Sequence, residues 1–183
     1  MRDWSTEKTA NWWEQADLRY NNRGENEPST NYFAKHFKFD SVLEIGSGTG
    51  RLINSLPAER KGAMDINPYL LDLVDNKAEK YEYDISKPIP LNLKYDLVFT
   101  YQVLQHLNHD QFLKALENIK RFAKKEIWLI EGQVPNAKDG ELTHEKGSWH
   151  HDYAKYLDCY KIDGIHGNKI KVFRSLKQGK SNE

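Results

Sequence analysis

Val42-Leu43-Glu44-Ile45-Gly46-Ser47-Gly48-Thr49-Gly50-Arg51-Leu52 decides how this chain is read. A short apolar run ends in three glycines at alternate positions, and helix-like sequence follows. Glycine permits positive φ and lets a ligand approach the backbone without a Cβ in the way. A strand turning sharply into a helix behind such a loop forms a nucleotide-type site at the carboxyl edge of a parallel sheet. The dinucleotide fingerprint is G-x-G-x-x-G, with the helix N-terminus facing a pyrophosphate. Here the third glycine is Gly50, giving G-x-G-x-G, and Glu44 puts a carboxylate two residues before Gly46. That carboxylate would repel a pyrophosphate and attract a cation. An ordinary strand-to-helix turn is the alternative, so the acidic residues downstream matter.

Working outward, residues 5–20 read as an amphipathic helix around Trp12, Trp13, Ala16 and Leu18, and a polar turn-rich connection runs from Asn21 to Pro28. Ser29 or Thr30 could cap a second helix reaching about Phe37. Strands are expected at Ser41–Ile45, Lys61–Ile66, Lys80–Tyr83, Tyr95–Tyr101 and Glu126–Ile130. Helices fall between them at Gly50–Leu56, Pro68 to about Ala78, and a stretch capped by Asn108 with Phe112, Leu116, Ile119 and Ala123 on one face. A long Gly-, Pro-, Asn- and Asp-rich connection runs from Gly132 to about Trp149, and two closing strands turn at Gly167-Asn168. Five strands alternating with helices indicate a parallel α/β sheet, to which the hairpin adds an antiparallel edge.

The glycine stretch strongly resembles motif I of the class I S-adenosylmethionine-dependent methyltransferases, E/D-x-G-x-G-x-G. Asp96-Leu97-Val98-Phe99-Thr100-Tyr101-Gln102-Val103-Leu104-Gln105-His106-Leu107 resembles motif IV with its V-L-x-H continuation. The resemblance spans roughly residues 38 to 175. It implies a three-layer α/β/α sandwich with a mostly parallel seven-stranded sheet, order 3-2-1-4-5-7-6 and the last strand antiparallel. Residues 1–37 would be an N-terminal helical lid, 38–176 the cofactor-binding domain and 177–183 a frayed tail.

The same resemblance assigns a cofactor site to Glu44, Gly46, Ser47, Gly48 and Gly50, with the Glu44 carboxylate facing the cationic amino end of S-adenosylmethionine. Asp65, nineteen residues after Gly46, stands where an acid accepts hydrogen bonds from ribose hydroxyls, followed by Ile66. Its alternative role is a helix cap ahead of Pro68. Asp84 matches the acid that accepts from the adenine amino group, with Ile85 packing on the ring, although an aspartate after a strand is also a common turn residue. The Tyr101 and Gln102 backbone would line the methionine part. Arg19 or Arg23 in the lid could receive the carboxylate; a solvated arginine is the alternative. Asp96, at the start of its strand, reads as structural.

Methyl transfer from a sulfonium is an in-line displacement with an excellent leaving group, so alignment and water exclusion matter most. A base is needed only where the acceptor loses a proton. His106 is the first candidate because it follows the fourth strand at the reacting edge, and the histidine side chain is the type suited to accept a proton at neutral pH. Trp149-His150-His151-Asp152-Tyr153 is the second, with His150 or His151 as base and Tyr153 in the acceptor wall. The alternatives are a packing histidine and a helix start capped by Asp152. Adjacent histidines with Asp152 lack the i, i+4 spacing of helix-borne metal ligands, so no metal is expected there.

The remaining features bound the acceptor and the setting. The 183 residues contain 27 Lys plus Arg against 27 Asp plus Glu, which removes a global drive toward nucleic acid. There is no Asn-Pro-Pro-Tyr-like segment for exocyclic base amines and no Pro-Cys nucleophile for cytosine C5. A small-molecule acceptor, methylated on O or N, is therefore expected in a monomer or homodimer. Protein or RNA methylation, a non-catalytic cofactor-binding subunit and a nicotinamide oxidoreductase are the competing classes. One cysteine, Cys159, no run of about 20 apolar residues and no signal-like start suit a cytoplasmic protein.

Overall fold

The apolar run before the glycines is a strand, β1 (Ser41–Ile45), buried at every position. Continuous burial is what a central parallel strand requires, since helices cover both faces of the sheet. β1 pairs in parallel with β2 (Arg60–Asp65) and β4 (Tyr95–Tyr101), so that Ile45 lies opposite both Met64 and Thr100. β3 (Glu79–Glu82) extends the sheet beyond β2, and β5 (Ala123–Gly132) extends it beyond β4. β9 (Ile170–Leu176) runs antiparallel to both β5 and β8 (Cys159–Ile165). The resulting order, β3-β2-β1-β4-β5-β9-β8, is the one expected, with β8 and β9 standing for the sixth and seventh strands. This is a computed structural model, and it describes residues 5–21, 28–144, 148–165 and 170–176, with the backbone alone for residues 13, 16–21 and 28. The Gly167-Asn168 turn, Arg23 and residues 177–183 lie outside the described residues.

Each face of the sheet carries its own apolar core. On one face α2 (Pro28–His36), α3 (Arg51–Ser55) and α4 (Pro68–Leu73) pack Phe33, Ile53 and Leu71 against Val42, Phe99 and Trp128. On the other, α5 (His109–Phe122) and α6 (Tyr153–Tyr156) share a core with Leu43, Val98 and Leu129. The segment from 83 to 93 adds Ile85, Ile89 and Leu93 to that second layer. Asn118 of α5 donates to the carbonyls of Ile85 and Lys87, and Arg121 donates to those of Ile89 and Leu91.

Several elements depart from expectation for local reasons. α2 begins at Pro28, ahead of the expected cap at Ser29 or Thr30. α4 stops at Leu73 instead of reaching Ala78, because Val74 is extended and Asp75 closes a turn by accepting from Lys77 and Ala78. The 132–149 connection is not all loop: Leu142–His144 (β6) and Ser148–Trp149 (β7) form a small antiparallel ribbon. The N-terminal helices also divide in role. The Phe33 ring lies 4.8 Å from Phe99 and 5.4 Å from Trp128, so α2 is a helix of the sandwich. α1 (Glu7–Asn21) packs beside α4, where Asn67 caps α4 and also donates to the Thr6 carbonyl at 3.0 Å.

Asn108 caps α5 as expected, in a full capping box: its side chain accepts from Gln111 N, and the Gln111 side chain accepts from Asn108 N. Asn108→Ala is expected to cost about 1 kcal/mol. The urea midpoint should fall with an unchanged slope; an unchanged midpoint would show that the cap carries no stability.

Candidate functional site

The carboxyl ends of β1, β2, β4 and β5 lie along one edge of the sheet, and the glycine loop sits there. Gly46, Gly48 and Gly50 have φ of 68°, 54° and 82°, left-handed values that strain any residue with a Cβ. Gly46 N and Ser47 N donate to the Met64 carbonyl at 2.7 and 3.1 Å, which stitches the loop to β2. The buried Ser47 hydroxyl has no partner among the described residues. A polar group left unpaired within this loop is what a ligand's polar end would satisfy.

Each acidic marker is engaged by the protein. Glu44 is buried, and its Oε2 accepts from Ile53 N at 3.0 Å, which holds α3 beneath the loop. Asp65 ends β2; its Oδ2 accepts from Gly48 N and its Oδ1 from Asn67 N, both at 2.9 Å. Burial pushes its carboxyl above the usual range despite those bonds. The helix cap ahead of Pro68 is Asn67, one of the roles considered for Asp65. Each carboxylate oxygen has two lone pairs, so Asp65 keeps capacity for a hydroxyl. Asp84 accepts from the Ser86 N–H and hydroxyl and pairs with Lys87 at 3.3 Å. Burial alone would raise its carboxyl, but those partners together hold it below the usual range. Ile66 is half-buried, while Ile85 is buried in the second core. Of Arg19 only the backbone is described, within α1.

β4 ends in a feature with no signal in the sequence. Gln102 has φ of 56° and donates to the Ile130 carbonyl at 2.8 Å. A non-glycine residue in that region is strained and often marks a functional turn. Tyr101 just before it is half-buried, with the Arg51 guanidinium 5.3 Å over its ring. The turn is held from below by Glu131, which sequence reasoning missed. Fully buried near the end of β5, its Oε1 accepts from Thr100 Oγ1 (2.7 Å), Val103 N (3.2 Å) and Leu104 N (3.3 Å). Burial pushes its carboxyl up to about 7, outweighing those bonds. One acid at the end of an apolar strand was its only trace in the sequence.

The four catalytic candidates separate by burial. His106 is half-buried on a single 3-10 turn (Leu104–His106) after β4, and His150 is half-buried after the ribbon. His151 and Tyr153 require correction: both are fully buried in the second core. His151 stacks on Phe112, with ring centroids 4.2 Å apart, and its Nε2 meets the Leu107 carbonyl at 3.0 Å. Burial lowers its basicity. The Tyr153 ring packs on Phe112 and Phe173, and burial, with the nearby Glu131 charge, pushes its phenol well above the ordinary value. Neither faces a cleft; alternation through the start of α6 turns them toward α5. Asp152 sits at the α6 cap position without a side-chain cap bond.

The surface has two hollows of note. One of about 420 Å³ follows the end of β5, lined by Gln133 to Ala137, His150 and Lys171. The larger, about 640 Å³, lies between Ser86 to Ile89 and the flank of α5, on the helical layer.

Seven strands in this order, one antiparallel, with a glycine turn after β1, define a Rossmann-like methyltransferase sandwich. The chain belongs to the methyltransferase-domain family, which it matches from residue 12 to residue 174, and is an S-adenosylmethionine-dependent methyltransferase by that membership. Solved structures share the fold at low identity. A TehB-like S-adenosylmethionine-dependent methyltransferase from Corynebacterium glutamicum is 14% identical, with a TM-score of 0.70 over 95% of this chain and 100% of that one. Magnesium protoporphyrin IX methyltransferase (ChlM) from Synechocystis PCC 6803, with bound S-adenosylhomocysteine, is 14% identical, with a TM-score of 0.63 over 82% and 80%. A chain of the Haloferax volcanii Trm112 methyltransferase-activator complex is 12% identical, with a TM-score of 0.73 over 98% of both. No curated protein matches the chain. Among the described residues no helix is long and apolar enough to cross a membrane.

Proposed function

We propose that this chain moves a methyl group from S-adenosylmethionine to an oxygen or nitrogen of a small-molecule acceptor, releasing S-adenosylhomocysteine. The observation that carries the acceptor class is the hollow of about 420 Å³ beyond β5, at the same sheet edge as the glycine loop. Its volume falls within the range of small-molecule sites. The unpartnered Ser47 hydroxyl and the left-handed glycines fit the cofactor, and the family resemblance gives Asp65 and Asp84 its ribose and adenine. Kinship of fold with ChlM, which acts on a small molecule, supports the same reading.

S-adenosylmethionine brings a methyl group on a sulfonium, a leaving group that needs no acid. What remains for the protein is to align the acceptor lone pair with the methyl carbon as the carbon–sulfur bond breaks. The Gln102 turn, braced by Glu131, shapes the wall between the glycine loop and the acceptor side. Where the acceptor carries a proton, His106 or His150 accepts it, since both are half-buried near this edge.

Calorimetry with S-adenosylmethionine, S-adenosylhomocysteine and NAD tests the cofactor; the first two should bind and NAD should not. Formation of S-adenosylhomocysteine is then followed against a metabolite panel, a peptide pool and bulk tRNA. Turnover confined to metabolites is the expected result. With the responding metabolite, His106→Ala or His150→Ala should lower kcat by about 10²- to 10⁴-fold if that residue is the base. Turnover only with tRNA or peptide would move the acceptor to a macromolecule. Binding without turnover in any pool would make the chain an accessory subunit.

A further inference from the structure

The ribbon segment brings His151 beside two residues that sequence reasoning did not connect with it. One potential ligand atom each from His109, Asp139 and His151 lies within 4.8 Å of the others. His109 opens α5, Asp139 lies in the connection after β5, and His151 follows the ribbon, so three remote segments converge on one point.

The state of His151 distinguishes this group from a chance surface cluster. Its ring is fully buried, and its Nε2 sits 3.0 Å from the Leu107 carbonyl, an acceptor only, so Nε2 carries the proton. Nδ1 is then an unprotonated acceptor, and it has no partner among the described residues. A histidine that donates one ring N–H to a backbone carbonyl and keeps the other nitrogen bare is oriented as metal-ligating histidines are. His109 Nδ1 is likewise buried without a partner, while its Nε2 lies 3.4 Å from the Tyr156 hydroxyl. Two imidazoles and one carboxylate make a donor set for a borderline divalent ion, zinc foremost.

We infer that His109, Asp139 and His151 form a divalent-metal site that ties the ribbon segment to the start of α5. It stands independently of the methyl-transfer reading. Asp139 is already engaged: its Oδ1 accepts from Asp152 N at 3.0 Å, and its Oδ2 accepts from the Tyr156 hydroxyl at 2.5 Å and the Lys155 ammonium at 2.9 Å. Lys155 is the competitor for the ion. Its side chain is 59% exposed and can swing into water when the ion arrives, whereas the Asp152 and Tyr156 bonds would hold the carboxylate in place. The bound ion would fix the segment carrying His150 and the small hollow.

Zinc alone is titrated calorimetrically into the chelator-treated 183-residue chain, and cobalt is followed by its visible absorption. One ion per chain with low-coordinate cobalt bands is expected. His109→Gln and Asp139→Asn should each weaken affinity by roughly 10- to 100-fold. Lys155→Gln should tighten it by removing the competing cation. Near-UV circular dichroism checks that each variant is folded. Absence of one-to-one binding, or equal affinity in the parent and folded His109→Gln, overturns the site, as does weaker binding in Lys155→Gln.

Discussion

Gly46→Ala is expected to reduce S-adenosylmethionine affinity by at least about 100-fold, because the loop can no longer occupy its present path. At φ of 68° an alanine is strained, and its Cβ would lie 2.3 Å from Val103 Cγ2. Neither neighbour yields easily. Gly46 N is bonded to the Met64 carbonyl, and Val103 N to Glu131. Strain and overlap together should cost about 2–4 kcal/mol of stability. The check is calorimetry with the cofactor beside urea unfolding of the same samples. Adding Val103→Ala opens space and should recover part of both losses, since the two residues are in contact and their effects do not add. A folded Gly46→Ala protein that binds as the parent does would remove the glycine loop from the site.

Glu131→Gln should flatten the pH dependence of stability, an effect on the order of 3 kcal/mol in the parent. Burial holds the Glu131 carboxyl near 7 in the folded protein, above the ordinary value of 4.5. Between those values the folded chain binds the extra proton and the unfolded chain does not. The stabilisation is therefore complete below about pH 4.5 and is lost as pH rises through about 7. Asp65, also raised by burial, contributes with the same sign to parent and variant, so their difference isolates Glu131. Glutamine keeps an acceptor for Thr100, Val103 and Leu104 and introduces no charge, so at pH 8 the variant should be at least as stable as the parent. Glu131→Ala leaves that hydroxyl and both N–H groups unpaired and should lose about 2–4 kcal/mol at every pH. Urea midpoints from pH 5 to pH 8 decide the matter: a parent-to-Gln difference that stays constant would sink the assignment.

The elements read most securely from the residues are those whose causes are local. β1 and β4 are runs of apolar and β-branched residues, and Asn108 caps α5 through a partner three residues on. Failures fall where the partner is distant. The ribbon pairs Leu142 with Trp149 inside a segment whose composition reads as loop. The bonds to Glu131 come from residues 27 to 31 positions away. The His151 ring finds its place through Leu107, 44 residues back, and through the Phe112 ring, so its burial has no local signature. The grouping of His109, Asp139 and His151 joins residues 12 to 42 positions apart, beyond any local ligand spacing.

By itself the sequence determined the sheet's parallel core and, through its resemblance to motif I, the methyl-donor class, because strand patterning and motif spacing are properties of a few consecutive residues. Tertiary structure alone decided which acids and histidines are open. It placed Glu131 under the Gln102 turn, turned Tyr153 and His151 inward, and left His106, after β4, and His150, after the ribbon, half-buried. The reason is that burial and charge state depend on what remote segments bring against a side chain, and no local pattern carries that information.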